Sequence, residues 1–276
     1  MTRKLSCLLL SAIAGSACTA LLAQEKPARE RLIAARPQYY TPTANGLKSF
    51  HCDAAIDWKA MLTRFSGVEV PDDNPALKFL DTVHLSVDDE LKGKGSLGWT
   101  SESDVPEDKA AAIKQIRDGL QQSIAGFFES WNAYMNGSMV PYPDKTVALT
   151  DTADGLHLSG TGKDMAVDED FDKNMLLTRS VVVTPTLKVL ATPTYAATPD
   201  GLLISVVKSE VHQPPTAPEA EATFRIAYAK VEAFQIPAQV VFDIKNTGVI
   251  EIAFKSCQVS LMDWAKKEPA QKAPAP

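Results

Sequence analysis

Asp168, Asp170 and Asp172, spaced two apart within VDEDFDKN, are the side chains of this sequence most like a cation site. A calcium loop takes oxygen ligands from its first, third and fifth positions, so the stretch opens correctly. It fails at the sixth position, where Lys173 replaces the glycine that the turn requires. It fails again at the twelfth, where Arg179 replaces the bidentate glutamate. The stretch therefore reads as a solvated acidic hairpin end, and no metal site is expected. The four histidines, His51, His84, His157 and His212, fall on separate expected strands. None has the two- or four-residue spacing of a metal pair within one element, so they read as polar sheet-surface residues. No G-x-S-x-G, H-E-x-x-H, P-loop or dinucleotide fingerprint occurs, and no nucleophile, base and orienter can be nominated together. The residues point away from an enzyme and call for no cofactor.

Cysteine chemistry is the remaining option. Outside the N-terminal segment only Cys52 and Cys257 occur, about two hundred residues apart, and a bridge over so long a loop would stabilise the fold by about 5 kcal/mol through chain entropy. In an exported protein two such cysteines are expected to pair. One feature opposes the pairing. Cys52 alternates with Phe50, Ile56 and Trp58 on an apolar face, whereas Cys257 alternates with Glu251 and Lys255 on a mixed one. A bulge in one strand would reconcile the two faces.

Export is indicated by the opening MTRKLSCLLLSAIAGSACTALLAQ. Arg3 and Lys4 precede an apolar run from Leu5 to Ala14 and then small residues, which is the pattern of a signal peptide over residues 1–23. The run is too short for a transmembrane anchor. Cleavage is expected after Ala23, with Ala20 as the alternative. Gly15-Ser16-Ala17-Cys18 also resembles a bacterial lipobox, in which Cys18 would carry the lipid. Loss of Arg3 and Lys4 takes the formal charge from −6 to −8. Nucleic acid is an unsuitable partner for such a chain, because its phosphates require clustered lysine and arginine. Asn136-Gly137-Ser138 fits the glycosylation acceptor pattern, which chance explains behind a bacterial-style leader.

The elements follow from periodicity. Residues 25–37 read as a short helix ended by Pro37, and 47–58 as a half-buried strand. Residues 59–78, with Pro71 and Pro75, read as irregular. Val83, Leu85 and Val87 mark another strand, followed by a glycine-spaced one through Gly93, Gly95 and Gly98. Between 106 and 136 the period changes. Apolar residues recur at 113, 116, 120, 124, 127, 128, 131, 134 and 135, a single helical stripe, with Gly137 placed to cap it. From 145 onward eight alternating runs return, with Asp154-Gly155 and Asp200-Gly201 as hairpin turns and 213–222 as a loop. Residues 265–276 read as a disordered Pro/Ala/Lys tail.

One long helix, about ten strands in sequence and no βαβ alternation give an α+β fold with an antiparallel sheet, assigned to a single domain over residues 24–264. A sheet of that many strands must curl or close to protect its edges. If it curls only part way its concave face needs a cover, and the 106–136 helix has the apolar stripe to supply one.

This order of elements, with GLKSF after the first helix and FQIPAQVVFDIKNTGVIEIAFKSCQV near the end, resembles the half-barrel proteins of the periplasmic lipoprotein-carrier (Lol-type) superfamily. The likeness spans residues 25–262 in layout and only those short stretches in residue detail. It implies an incomplete barrel whose concave face takes up acyl chains beneath a helical lid. Two things depart from the family: residues 59–78 with the tail have no counterpart, and Arg64, Arg117 and Arg179 all lie outside any lid-latching motif. What the resemblance implies here is apolar-ligand binding, not lipoprotein transport in particular.

The apolar residues expected to line the trough are Val181 and Val183 on one strand, Ile204 and Val206 on the next, and Phe224 and Tyr228 after the loop. Phe242, then Ile250, Ile252 and Phe254, complete the set on the last two strands, with Ile116, Leu120, Phe127 and Trp131 on the helix above. The expected function is binding or carriage of a hydrophobic ligand, a lipid or acyl chain, in the periplasm or outer envelope. The alternative is an envelope structural or interaction module, anchored at Cys18, that meets an envelope protein partner instead of a small molecule.

Overall fold

The structure is a computed structural model that describes residues 27–91, 95–136, 147–215, 220–246 and 248–266. The expected leader with Cys18, the Gly137 cap, most of the acceptor sequon, Gly93 and residues 267–276 lie outside the described residues. Helix α1 (Ala28–Ala35) runs into a short 3-10 turn, and β1 (Leu47–Ala55) follows. Two short helices, α2 (Trp58–Ser66) and α3 (Pro75–Leu80), precede the strands β2 (Val83–Asp89) and β3 (Ser96–Ser101). The long helix α4 (Ala110–Asn136) comes next, and nine further strands follow among the described residues. These are β4 (Val147–Asp151), β5 (Gly155–Thr161), β6 (Ala166–Asp172), β7 (Leu177–Val183), β8 (Lys188–Thr198), β9 (Gly201–His212), β10 (Ala220–Val231), β11 (Phe234–Ile244) and β12 (Gly248–Leu261).

All twelve strands join one antiparallel, curved open sheet in the order β3-β2-β1-β12-β11-β10-β9-β8-β7-β6-β5-β4. The count exceeds the expected ten because the acidic 167–174 stretch is itself mostly strand. In β6, Asp168 and Asp170 alternate outward beside His157, whose Nδ1 lies 2.7 Å from Asp170 Oδ1. Asp172 turns the chain, accepting the backbone N–H groups of Asn174 and Leu176.

Residues 59–78 are also more regular than their prolines suggest. Trp58 does not continue β1 but starts α2, where Asp57 caps the helix by accepting from Ala60 N–H and Gly67 ends it in the left-handed region (φ 69°). Pro75 takes the first position of α3 and Asn74 accepts from Ala76 and Leu77 N–H, so this proline begins a helix. Both helices are short, of 9 and 6 residues; α2 carries Trp58, Met61, Leu62 and Phe65 at helical spacing, which the prolines of the stretch obscured, whereas α3 is too brief to show a stripe.

Sequence order alone dictates where α4 must go. Its neighbours in the chain, β3 and β4, are the two opposite edges of the sheet. The connection between them must cross the whole sheet. At ~1.5 Å per residue α4 is about 40 Å long, while twelve strands laid flat at ~4.8 Å spacing would span about 53 Å. Curling shortens that distance and puts the helix inside the bend. The stripe meets the sheet there: Ile113, Leu120, Ile124, Phe127, Phe128, Trp131 and Met135 are buried, and Ile116 is half-buried. Phe128 stacks edge-on to Phe50 (5.7 Å between centroids) and tilts over Phe254 (6.0 Å).

Cys52 and Cys257 stand on neighbouring strands at disulfide distance, their sulfurs 2.13 Å apart. The opposed faces are reconciled by a bulge. Along the β1–β12 ladder His51 faces Gln258 and Asp53 faces Lys255, so Cys52 alone opposes both Ser256 and Cys257. Ser256 takes the extra place with φ 50°. Before the bulge Ile250, Ile252 and Phe254 point inward; after it Cys257, Val259 and Leu261 do.

Candidate functional site

The site begins with a row of small side chains. Cross-strand partners share a face of the sheet. Glu169 pairs with Ser180, Ser180 with Ala191, Ala191 with Ser209, Ser209 with Ala222, and Ala222 with Ile244. Four successive strands, β7 to β10, thus carry only serine or alanine in this row. The facing stretch of α4 is equally small, with Ser123, Gly126 and Ser130 at helical spacing. A Cβ built on Gly126 would meet nothing within 4 Å. Small residues on both sides leave a gap that neither surface can fill. The gap is a cavity of about 570 Å³ between α4 and strands β8 to β11.

Large side chains wall it. Phe127, Trp131 and Tyr134 come from the helix, and Phe224, Ile226 and Phe242 from the sheet. Phe242 stacks edge-on to both Phe127 and Phe224, at 5.8 and 5.6 Å between centroids. Val189, Val207 and Val211 continue the apolar surface. Gln122 and Glu129 lie on the solvent-exposed flank of the helix beside it.

Of the residues expected to line a trough, Ile204, Phe224, Phe242, Phe127 and Trp131 are brought together here. The others lie elsewhere. Ile250, Ile252 and Phe254 are buried in the core beside the cavity; Leu120 is buried and Ile116 half-buried in the same core. The Tyr228 hydroxyl accepts from Trp131 Nε1 at 3.1 Å, a clamp beside the cavity and not part of its lining. Val206 is turned to the convex face. The β8–β9 ladder pairs Thr194 with Val206 and Tyr195 with Ile204, leaving Ser205 as a bulge. Inward alternation thus passes from Ile204 to Val207. Val181 and Val183 likewise alternate with the inward Ser180, so Val182 shares the cavity side. Three successive valines carry no period-two information, which is why the sequence could not choose between them.

The small residues Ala191, Ser209, Ala222 and Gly126 had no signal of their own. A small side chain in a strand says nothing until register aligns it with others.

Polar contacts hold the C-terminal third of α4. Asn132 Nδ2 donates to Asp89 Oδ1 (2.8 Å), which also accepts from Leu91 N–H (3.0 Å). Asp89 is almost fully buried and its Oδ2 has no partner among the described residues. Burial pushes its carboxyl up to about 6, against the opposing pull of those hydrogen bonds. A raised acid binds more protons folded than unfolded, so stability falls as pH rises from about 4 to about 6. The loss reaches about 3 kcal/mol once pH exceeds the folded value. Urea unfolding at pH 4.5 and 7.5 is expected to show that slope, and Asp89→Asn to reduce it by about half, because Glu169, also pushed up by burial to about 7, titrates over the same range. An unchanged slope in the variant would place the proton elsewhere.

Compared with models of known protein families, with curated proteins and with solved structures, the chain finds no match. Among the described residues no helix is long and apolar enough to cross a membrane.

Proposed function

We propose that this chain is an exported binding or carrier protein for a hydrophobic ligand, a lipid or acyl chain, in the cell envelope. The ligand lies between α4 and strands β8 to β11. The observation that carries this reading is the cavity. At about 570 Å³ it falls within the ~300–1,000 Å³ of ordinary ligand sites, and its walls are aromatic and aliphatic. Each methylene buried there contributes ~0.8 kcal/mol, so a twelve-carbon chain supplies on the order of 10 kcal/mol before the costs of association. The leader supports export, and the Cys52–Cys257 pair suits an oxidising compartment. The resemblance to the Lol-type half-barrels agrees with a trough under a helix.

The neutral fluorophore N-phenyl-1-naphthylamine tests the reading. It is expected to brighten on binding the wild-type protein. Ala222→Leu grows a side chain from the cavity floor and should weaken that binding at least tenfold without lowering the melting temperature. A wild type that leaves the fluorophore dark, or a folded Ala222→Leu that binds it equally well, would remove the cavity from the function.

A further inference from the structure

We propose that the cavity selects apolar molecules whose polar end is a hydrogen-bond donor, neutral or cationic, and that Glu169 receives that end. The inference rests on the cavity being the ligand site and adds the chemical class of its occupant.

Three observations carry it. The first is position. The small-residue row that floors the cavity continues through Ser180 to Glu169, one strand beyond, at a spacing of ~4.8 Å. Tyr134 belongs to the cavity wall and its hydroxyl lies near the side chain of Ser180. Ser180 and Glu169 lie just beyond the cavity lining, so an end group that passes Tyr134 is directed along this row toward the Glu169 carboxyl.

The second is an unmet bond. Glu169 Oε2 is buried and has no hydrogen-bond partner among the described residues. Its cross-strand neighbour on the other side is the buried Leu158, which offers none. A buried carboxyl oxygen left unpaired is costly, and a donor supplied by the ligand would relieve it. Burial also pushes this carboxyl up to about 7, so near neutrality it can meet a hydroxyl in its neutral form or an ammonium in its ionised form.

The third is charge. Among the described residues the charged ones lining the cavity are Glu129 and Glu221, and Glu221 pairs with Lys245 at its edge. Among the described residues no lysine, arginine or histidine lines it. A carboxylate or phosphate end group would meet no cation among these lining residues and a further carboxyl at its end.

Matched twelve-carbon compounds separate the head group from the chain. Isothermal titration of the full chain at pH 7.5, below the aggregation concentration of each compound, compares dodecylamine, dodecan-1-ol and dodecanoate. The amine is expected to bind most tightly, and dodecanoate at least tenfold more weakly than the alcohol. Glu169→Gln should abolish the preference of amine over alcohol while leaving alcohol binding in place. Equal affinities for the three, a preference for dodecanoate, or an unchanged ranking in a folded Glu169→Gln would overturn the head-group assignment and leave the cavity reading standing. Failure of all three to bind would overturn both. The wild-type ranking is decisive even if the variant does not fold.

Discussion

Replacing Cys52 and Cys257 together by alanine is expected to lower the unfolding free energy by about 5 kcal/mol, the largest single effect in the molecule. The pair closes a loop of 205 residues. In the chain-entropy model the constraint on the unfolded ensemble grows with the logarithm of loop length, and a loop this long gives about 5 kcal/mol. Nearly every strand lies inside that loop, so its removal frees almost the whole meander. Cys52 is also fully buried, and its truncation adds a small packing loss. Urea unfolding of the wild type with and without reductant, beside the double variant, measures this. Reduced wild type and the variant should unfold at similar, much lower urea concentrations. If reductant leaves the wild-type midpoint in place and both cysteines react with alkylating reagent in the denatured, unreduced protein, the pair carries no bond.

Phe128→Ala is expected to cost about 3–5 kcal/mol, the range for an aromatic removed from a packed core. Phe128 has no exposed surface. Its ring meets Phe50 of β1, Phe254 of β12, and both Phe127 and Trp131 of its own helix, all within 6.3 Å between centroids. Gly95 lies so close that a Cβ there would come within 2.6 Å of the ring, so the edge of the sheet is shaped around this side chain. Truncation therefore leaves a hole where the helix is seated on the first and last strands. Phe128 itself does not line the cavity, although its neighbours Phe127 and Trp131 do. Chemical denaturation should show the loss, while N-phenyl-1-naphthylamine binding to the folded variant should survive within a few fold. A variant as stable as wild type would mean that α4 is not seated through this ring.

The two results bear on different parts of one arrangement. The bridge ties the meander's ends together, and the aromatic cluster fixes the crossing helix over that joint. What lies on the far side of the helix, above β8 to β10, is then left with small side chains on both surfaces. The fold holds a cavity open because its helix is anchored elsewhere.

By itself the sequence determined the element types wherever a period persisted. Alternation in β1, β2 and the long C-terminal strands, and the three–four stripe of α4, were legible because burial on one face repeats along the chain. So was the Cys52–Cys257 pairing, together with the obstacle to it. The prolines at 71 and 75 hid α2 and α3: α2 has Trp58, Met61, Leu62 and Phe65 at helical spacing beside them, and α3 ends before a stripe can repeat. Tertiary structure alone decided the parity of each strand. The bulges at Ser205 and Ser256 add one residue against an unbroken partner and reverse every side chain beyond them. That reversal moved Val206 out of the cavity and brought Cys257 to Cys52. Register, a relation between strands, is also what lined up Ser180, Ala191, Ser209 and Ala222 into a floor. No pattern within any single strand carries that information, because each of those residues is unremarked until its neighbours across the sheet are known.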